Sequence, residues 1–277
     1  VVHIDTTPGE EAQVRRNLLK QQVLKGDIVV GTMVQEIRTP AIAQILKSVG
    51  FDFLILDMEH GSYNLQTAAD ILRVARLVDI CPLVRVNSPE YDLIAPVLDQ
   101  GAMGIMMPRV ETRDQVVRFL KAMKYPPVGE RGCSSDAAHS EYQFGPLAEW
   151  LELNNADTLA IVLVERKLAV EHIDEILSVP GVDVAWIGYE DLSVSIGLPG
   201  QYDHPLFLQA IEKIVGAAKR HNVVCGIMVN EPEAIQSWIA RGLRMFMYSC
   251  DLGLIMQAGG NALSKIRALV QSNAVSD

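Results

Sequence analysis

Six short apolar runs in this sequence end beside residues able to hold a charge or move a proton. FDFLILD (51–57) closes on Asp57 and continues through Met58 to Glu59 and His60, and CPLVRV (81–86) carries Arg85 near its end. GIMMPR (104–109) ends in Arg109, with Glu111 two residues on. LAIVLV (159–164) is followed by Glu165, VDVAWIG (182–188) leads to Tyr189, Glu190 and Asp191, and RMFMYSC (244–250) gives way to Asp251. Two acids following separate apolar runs, Glu165 and Asp191, offer oxygen donors for a hard divalent cation such as Mg2+ or Mn2+. The plainer role for each is to cap the helix that follows. No His or Cys lies beside them, which argues against zinc. His60 stands three residues after Asp57, a spacing that lets a carboxylate orient an imidazole used as a base; otherwise it is an ordinary loop histidine. Arg85 supplies a charge that never titrates away, suited to a developing enolate, or it pairs with Asp57 or Glu59. Arg109 and Glu111 read better as structural partners.

Two absences narrow the chemistry. No lysine falls inside any strand candidate, which argues against a Schiff base, and Lys167 is the sole one nearby. The glycine-rich phosphate cup often built late in a barrel is missing from Met228-Val229-Asn230 and Ser249-Cys250-Asp251.

The elements that must position these residues alternate strictly. Strand candidates at 28–34, 51–57, 81–86, 104–109, 159–164, 182–188, 223–229 and 244–250 are separated by amphipathic stretches such as 67–77, 113–123, 206–219 and 231–240. Several strands are apolar almost throughout, as strands covered on both faces are. Eight β-α repeats in 277 residues predict a single α/β domain, a (β/α)8 TIM barrel, with helical segments at 1–26 and 251–277. An open doubly wound sheet is the rival, but no Gly-x-Gly-x-x-Gly follows the first strand. The connection 125–150 is long enough to be a lid or binding loop, with a short extra helix expected at 146–152.

Net charge of −10 argues against a nucleic-acid surface, and no apolar run approaches the length that crosses a bilayer. Cys81, Cys133, Cys225 and Cys250 are scattered without metal or redox spacing, and no secretory pattern opens the chain. A cytoplasmic protein is expected.

Taken together these residues resemble a family: the class II, metal-dependent pyruvate aldolases of the 4-hydroxy-2-oxoheptanedioate aldolase type, within the citrate lyase-like superfamily. The resemblance spans almost the whole chain. It is carried by Asp57-Met58-Glu59-His60-Gly61, Arg85, Pro108-Arg109-Val110-Glu111-Thr112, Tyr125-Pro126-Pro127 with Gly129-Glu130-Arg131-Gly132, Glu165, and Ile187-Gly188-Tyr189-Glu190-Asp191-Leu192-Ser193. It implies that Glu165 and Asp191 hold a divalent metal (Mg2+, Mn2+ or Co2+), that His60 with Asp57 manages the proton, and that Arg85 stabilises a pyruvate enolate. It also implies substrate contacts from Arg85, Tyr189, Glu190 and Asp191, with the helix start at Asp191 receiving the substrate carboxylate. A hexamer is implied too, its last helix packed on, or exchanged with, a neighbouring subunit. The sequence departs from the family beside the metal: Leu163 stands where Gln is frequent, and Tyr189-Glu190 where Pro-Ala is frequent. The expected reaction is cleavage or formation of a 4-hydroxy-2-oxo acid from pyruvate and an aldehyde. A related oxaloacetate decarboxylase or acyl-CoA lyase, or an inactive barrel used as a binding subunit, are the alternatives.

Overall fold

A computed structural model describes residues 15–142 and 145–274. Eight parallel strands close into one barrel in sequence order: β1 (Val29–Val34), β2 (Phe53–Asp57), β3 (Cys81–Arg85), β4 (Gly104–Met107), β5 (Leu159–Val164), β6 (Val184–Ile187), β7 (Val224–Val229) and β8 (Met245–Cys250). All eight strands expected from the sequence form, and the single barrel is the fold. Helices follow every strand, among them Leu65–Leu77, Arg113–Met123 and Pro205–Arg220. The segment expected as one helix at 231–240 divides into a 3-10 turn, Pro232–Ala234, and the helix Ile235–Arg241.

Period-two alternation splits the strands' side chains into two buried layers. Phe53 and Ile55 of β2, Leu83 of β3, Met106 of β4, Leu159, Ile161 and Leu163 of β5, Val184 and Trp186 of β6, and Met245 and Met247 of β8 fill the interior. Their neighbours, such as Leu54, Leu56, Val84, Val162 and Ile187, face outward and pack with the helices. Filling requires space as well as bulk. A Cβ on Gly31 would come within 2.4 Å of the Phe53 ring, so β1 must give up a side chain there for Phe53 to point inward. The helix Leu18–Lys25 closes the bottom of the barrel, with Leu19 and Val23 in the interior layer and the Lys20 ammonium 2.9 Å from Asp183. The rest of the N-terminal segment, 1–14, lies outside the described residues, as do 143–144 and 275–277.

The long connection expected as a lid or binding loop is fastened to the barrel along part of its length. Its aromatic residues form a buried clasp: the Tyr125 hydroxyl lies 3.2 Å from His139 Nε2, Trp150 packs against both rings, and the Arg131 guanidinium sits 4.6 Å above Tyr125. Arg131 pairs with Asp99, fastening the segment to the helix Tyr91–Asp99. None of its described residues reaches the cavity at the strands' carboxyl ends. The extra helix is present and longer than expected, Leu147–Asp157.

The last helix, Asp251–Ala274, leaves the barrel at its root. Every described side chain from 255 to 271 is exposed, including Ile255, Met256, Leu263, Ile266 and Val270 at helical spacing. Among the described residues no helix is long and apolar enough to cross a membrane.

Candidate active site

One further step of the alternation beyond the interior apolar residues places Gln35 after β1, Asp57 at the end of β2, Arg85 at the end of β3, Glu165 after β5 and Gly188 after β6 at the same mouth. Asp57 and Arg85 occupy paired positions in the β2–β3 ladder. The cavity there holds about 270 Å3. Met33, Met106, Leu163, Trp186, Met228 and Met247 make its apolar floor; Gln35, His60, Arg85, Glu165, Tyr189, Glu190 and Asp191 make its polar wall.

Asp57 is fully buried and serves as the anchor of Arg85. Its Oδ1 accepts from Arg85 Nε at 2.9 Å and its Oδ2 from Nη2 at 2.7 Å, a fork-on-fork pair. Gln35 Nε2 donates to Oδ2 at 3.0 Å, and the backbone N–H groups of Glu59 and His60 donate to Oδ1. Burial pushes the Asp57 carboxyl upward, but Arg85 and these donors more than offset it and hold the group below its ordinary range. Glu59 lies 3.5 Å from Arg85 Nε; burial raises its carboxyl above the usual value despite the attraction of Arg85.

This arrangement corrects the expected Asp57–His60 relationship. Asp57 meets His60 through the backbone N–H, because both carboxylate oxygens are turned to the Arg85 fork. The imidazole is 62% exposed and has Glu59 as its acidic neighbour, with Nε2 at 3.9 Å from Oε2.

Glu165 is 4% exposed and Oε1 accepts the backbone N–H of Arg109 at 2.7 Å. Arg109 presents that N–H from a left-handed conformation, φ 55°, uncommon for a residue with a side chain. The expected structural role of Arg109 thus falls to its backbone, while Glu111 pairs with Arg166 at 3.1 Å. Burial drives the Glu165 carboxyl up to about 7, and the charges of Asp191 and Glu59 push the same way against the Arg109 N–H and Arg85. Asp191 stands in the first turn of the helix Tyr189–Ser195, exposed at the cavity wall. A Cβ on Gly188 would lie 2.7 Å from Glu165 Cβ and 2.9 Å from Oε2, so only glycine lets this helix start so close to the acid.

Tyr189 and Glu190 reach the same cavity, as the sequence suggested. Asn230 Nδ2 donates to the Tyr189 hydroxyl at 3.0 Å, and that hydroxyl faces Glu190 Oε1 at 3.5 Å. Burial first, and Glu190 second, raise the Tyr189 phenol to about 12. Asp251 plays a different part: at 2% exposed, it accepts the backbone N–H groups of Gln35, Glu36 and Ile37 and fixes the loop after β1. Sequence reasoning missed Gln35, although it stands one alternation step beyond inward Met33.

An eight-stranded barrel with a forked arginine–carboxylate pair and two acids at the carboxyl ends of its strands has the layout of a barrel-enzyme active site. The chain belongs to the HpcH/HpaI aldolase/citrate lyase family, whose model matches residues 32–258. It is similar to the hydroxypyruvate/pyruvate aldolase of Roseobacter denitrificans, 30% identical over 249 residues that make up 90% of this chain and 96% of that protein. It is similar also to the 2-keto-3-deoxy-L-rhamnonate aldolase of Escherichia coli, 29% identical over 91% of this chain and 94% of that one. The crystal structure of an HpcH/HpaI aldolase from Desulfitobacterium hafniense superposes with a TM-score of 0.86 at 32% identity, over 90% of this chain and 96% of that one. The protein is a carbon–carbon lyase of the aldolase type, in a family dependent on divalent metals.

Proposed function

We propose that this barrel forms and cleaves 4-hydroxy-2-oxo acids through a pyruvate enolate, with a divalent cation held by Glu165 and Asp191. The observation that carries the reading is Glu165: a buried carboxyl, with no cationic side chain among the described residues bonded to it, pushed up to about 7 by burial and by two neighbouring acids. Oxygen donors in that state suit a hard cation such as Mg2+, Mn2+ or Co2+. Among the described residues no three acids, histidines or cysteines converge as a metal-holding group; two carboxylate ligands alone would leave room for substrate and water. Bound there, the cation supplies Lewis-acid polarisation of the 2-oxo acid.

The chain's own residues do the rest. Asp57 and Gln35 hold the Arg85 assembly rigid, and the guanidinium edge not taken by Asp57 shares the enolate charge. In cleavage His60 accepts the proton of the C4 hydroxyl, the C3–C4 bond breaks, and the aldehyde leaves; in synthesis His60 returns the proton. Its exposure gives solvent access for that exchange, and Glu59 lies 3.9 Å from its Nε2. The helix start at Tyr189, Glu190 and Asp191 has no side-chain cap, which suits a substrate carboxylate. The floor of methionines and Trp186 keeps bulk water from the enolate.

The test is proton exchange at the methyl group of pyruvate in deuterated water, followed by NMR without any aldehyde. Metal-loaded protein is expected to exchange the methyl protons, chelated protein to lose at least about a hundredfold in rate, and Mn2+ or Mg2+ to restore it. Full exchange after rigorous chelation would remove the cation from the mechanism. Gly188→Ala adds a second check. With a Cβ forced against Glu165, Mn2+ affinity measured by calorimetric titration is expected to fall about 10- to 100-fold. An unchanged isotherm would detach Gly188 from the metal site.

The uncovered apolar stripe of the helix Asp251–Ala274 supports packing on a neighbouring copy, in keeping with a hexamer. Four free cysteines, one buried with its thiol raised to about 12, suit a reducing cytoplasm.

A further inference from the structure

We propose that Glu190 selects the acceptor, so that the site takes an uncharged, hydroxylated aldehyde and rejects one that bears a carboxylate. The inference rests on the aldolase reading above and deepens it by naming the acceptor's chemistry. Among the described residues lining the cavity, Arg85 is the one lysine or arginine, and Asp57 and Glu59 already flank it. Glu165 and Asp191 are engaged with the cation and pyruvate in that reading. Glu190 is the remaining acid on the wall, exposed at the cavity rim.

Its position is braced from below. Asn230, just beyond β7, donates through Nδ2 to the Tyr189 hydroxyl, whose own proton points to Glu190 Oε1. The Tyr189 ring meets Tyr202 edge-on at 5.1 Å, and Tyr202 meets buried Phe207 at 5.6 Å. Tyr189 is thereby tied to the core, and its hydroxyl lies 3.5 Å from the Glu190 carboxylate. An aldehyde carboxylate arriving there meets a like charge, and the described lining offers no lysine or arginine besides the already paired Arg85 to balance it. A hydroxyl group finds an acceptor in Glu190.

The experiment compares kcat/KM for pyruvate addition to butanal, glyceraldehyde and succinic semialdehyde, in wild-type protein and in E190Q, E190K and Y189F. Butanal and succinic semialdehyde share a four-carbon skeleton and differ at the far end, methyl against carboxylate. Their ratio within each protein divides out any general loss of activity. Wild type is expected to prefer glyceraldehyde and to disfavour succinic semialdehyde against butanal. E190Q should raise the succinic semialdehyde to butanal ratio about tenfold, E190K further, and Y189F by a smaller factor through loss of the brace. A ratio unmoved in E190K, or a wild type that favours succinic semialdehyde, overturns the assignment. Methyl exchange of pyruvate in wild type separates the two levels. Exchange with an unmoved ratio defeats the acceptor assignment alone, whereas no exchange defeats the aldolase reading and this inference with it.

Discussion

Arg85→Met is expected to lower kcat/KM roughly a thousandfold and, separately, to cost about 3–5 kcal/mol of stability. The two losses have different origins. The first comes from removing the fixed charge beside the enolate. The second comes from Asp57, which stays fully buried after losing both bonds to the guanidinium and keeps only Gln35 and two backbone N–H donors. Burial, already the largest influence on this carboxyl, would then be opposed by little, and the group would take up a proton. The double variant Arg85→Met/Asp57→Asn removes both charges and is expected to recover most of the stability while leaving kcat/KM as low as in Arg85→Met. Urea unfolding alongside pyruvate exchange measures both. Activity returning with stability would show that Arg85 only supports the fold; near-normal turnover in Arg85→Met would end its assigned role outright.

The pairing of Asp57 with Arg85 also shows where sequence reasoning reached and where it stopped. All eight strands were legible because strands covered on both faces leave apolar runs bounded by polar residues, and nothing else in the chain imitates that pattern. Their mouth residues were legible for the same reason: Asp57, Arg85 and Glu165 directly follow uncharged stretches, 53–56, 81–84 and 159–164. Choosing among partners was not legible. Asp57 stands three residues from His60 and twenty-eight from Arg85, yet the parallel register sets Asp57 opposite Arg85, while the turn after β2 brings only the His60 backbone back to it. Gln35 escaped notice because an amide carries no charge to stand out, although counting by twos from Met33 reaches it. The packing of the connection 125–150 was illegible for a related reason. Its length and glycine content describe a loop, but its role is decided by Tyr125, His139 and Trp150 finding one another in a buried clasp, a contact no local pattern announces.

Glu165→Gln is expected to make the metal-free protein more stable near pH 8 while abolishing its stabilisation by Mn2+. In the wild type the Glu165 carboxyl is raised to about 7 in the fold, against roughly 4.3 in the unfolded chain. A carboxyl raised in this way contributes stability that is fully present below pH 4.3 or so and is lost as pH rises through 7. At pH 8 the metal-free fold therefore carries an ionised, buried Glu165 at a cost on the order of 3 kcal/mol. Glutamine retains an oxygen for the Arg109 N–H and removes the charge, so the decline should flatten by about 2 kcal/mol between pH 5 and 7. Glu59, also raised, adds a decline of the same sign in both proteins, so the difference between them isolates Glu165. Asp57, held low, acts in a more acidic window and does not mask it. A cation reverses the wild-type cost by giving the charge a partner. At a hundred times its dissociation constant it should stabilise the wild type by about 2.7 kcal/mol, and Glu165→Gln hardly at all. Thermal unfolding across pH 5–8, with and without Mn2+, reads every arm. A metal-free wild type whose stability rises across that range would show that Glu165 is not held under electrostatic strain. An equal Mn2+ shift in both proteins would show that the cation binds elsewhere.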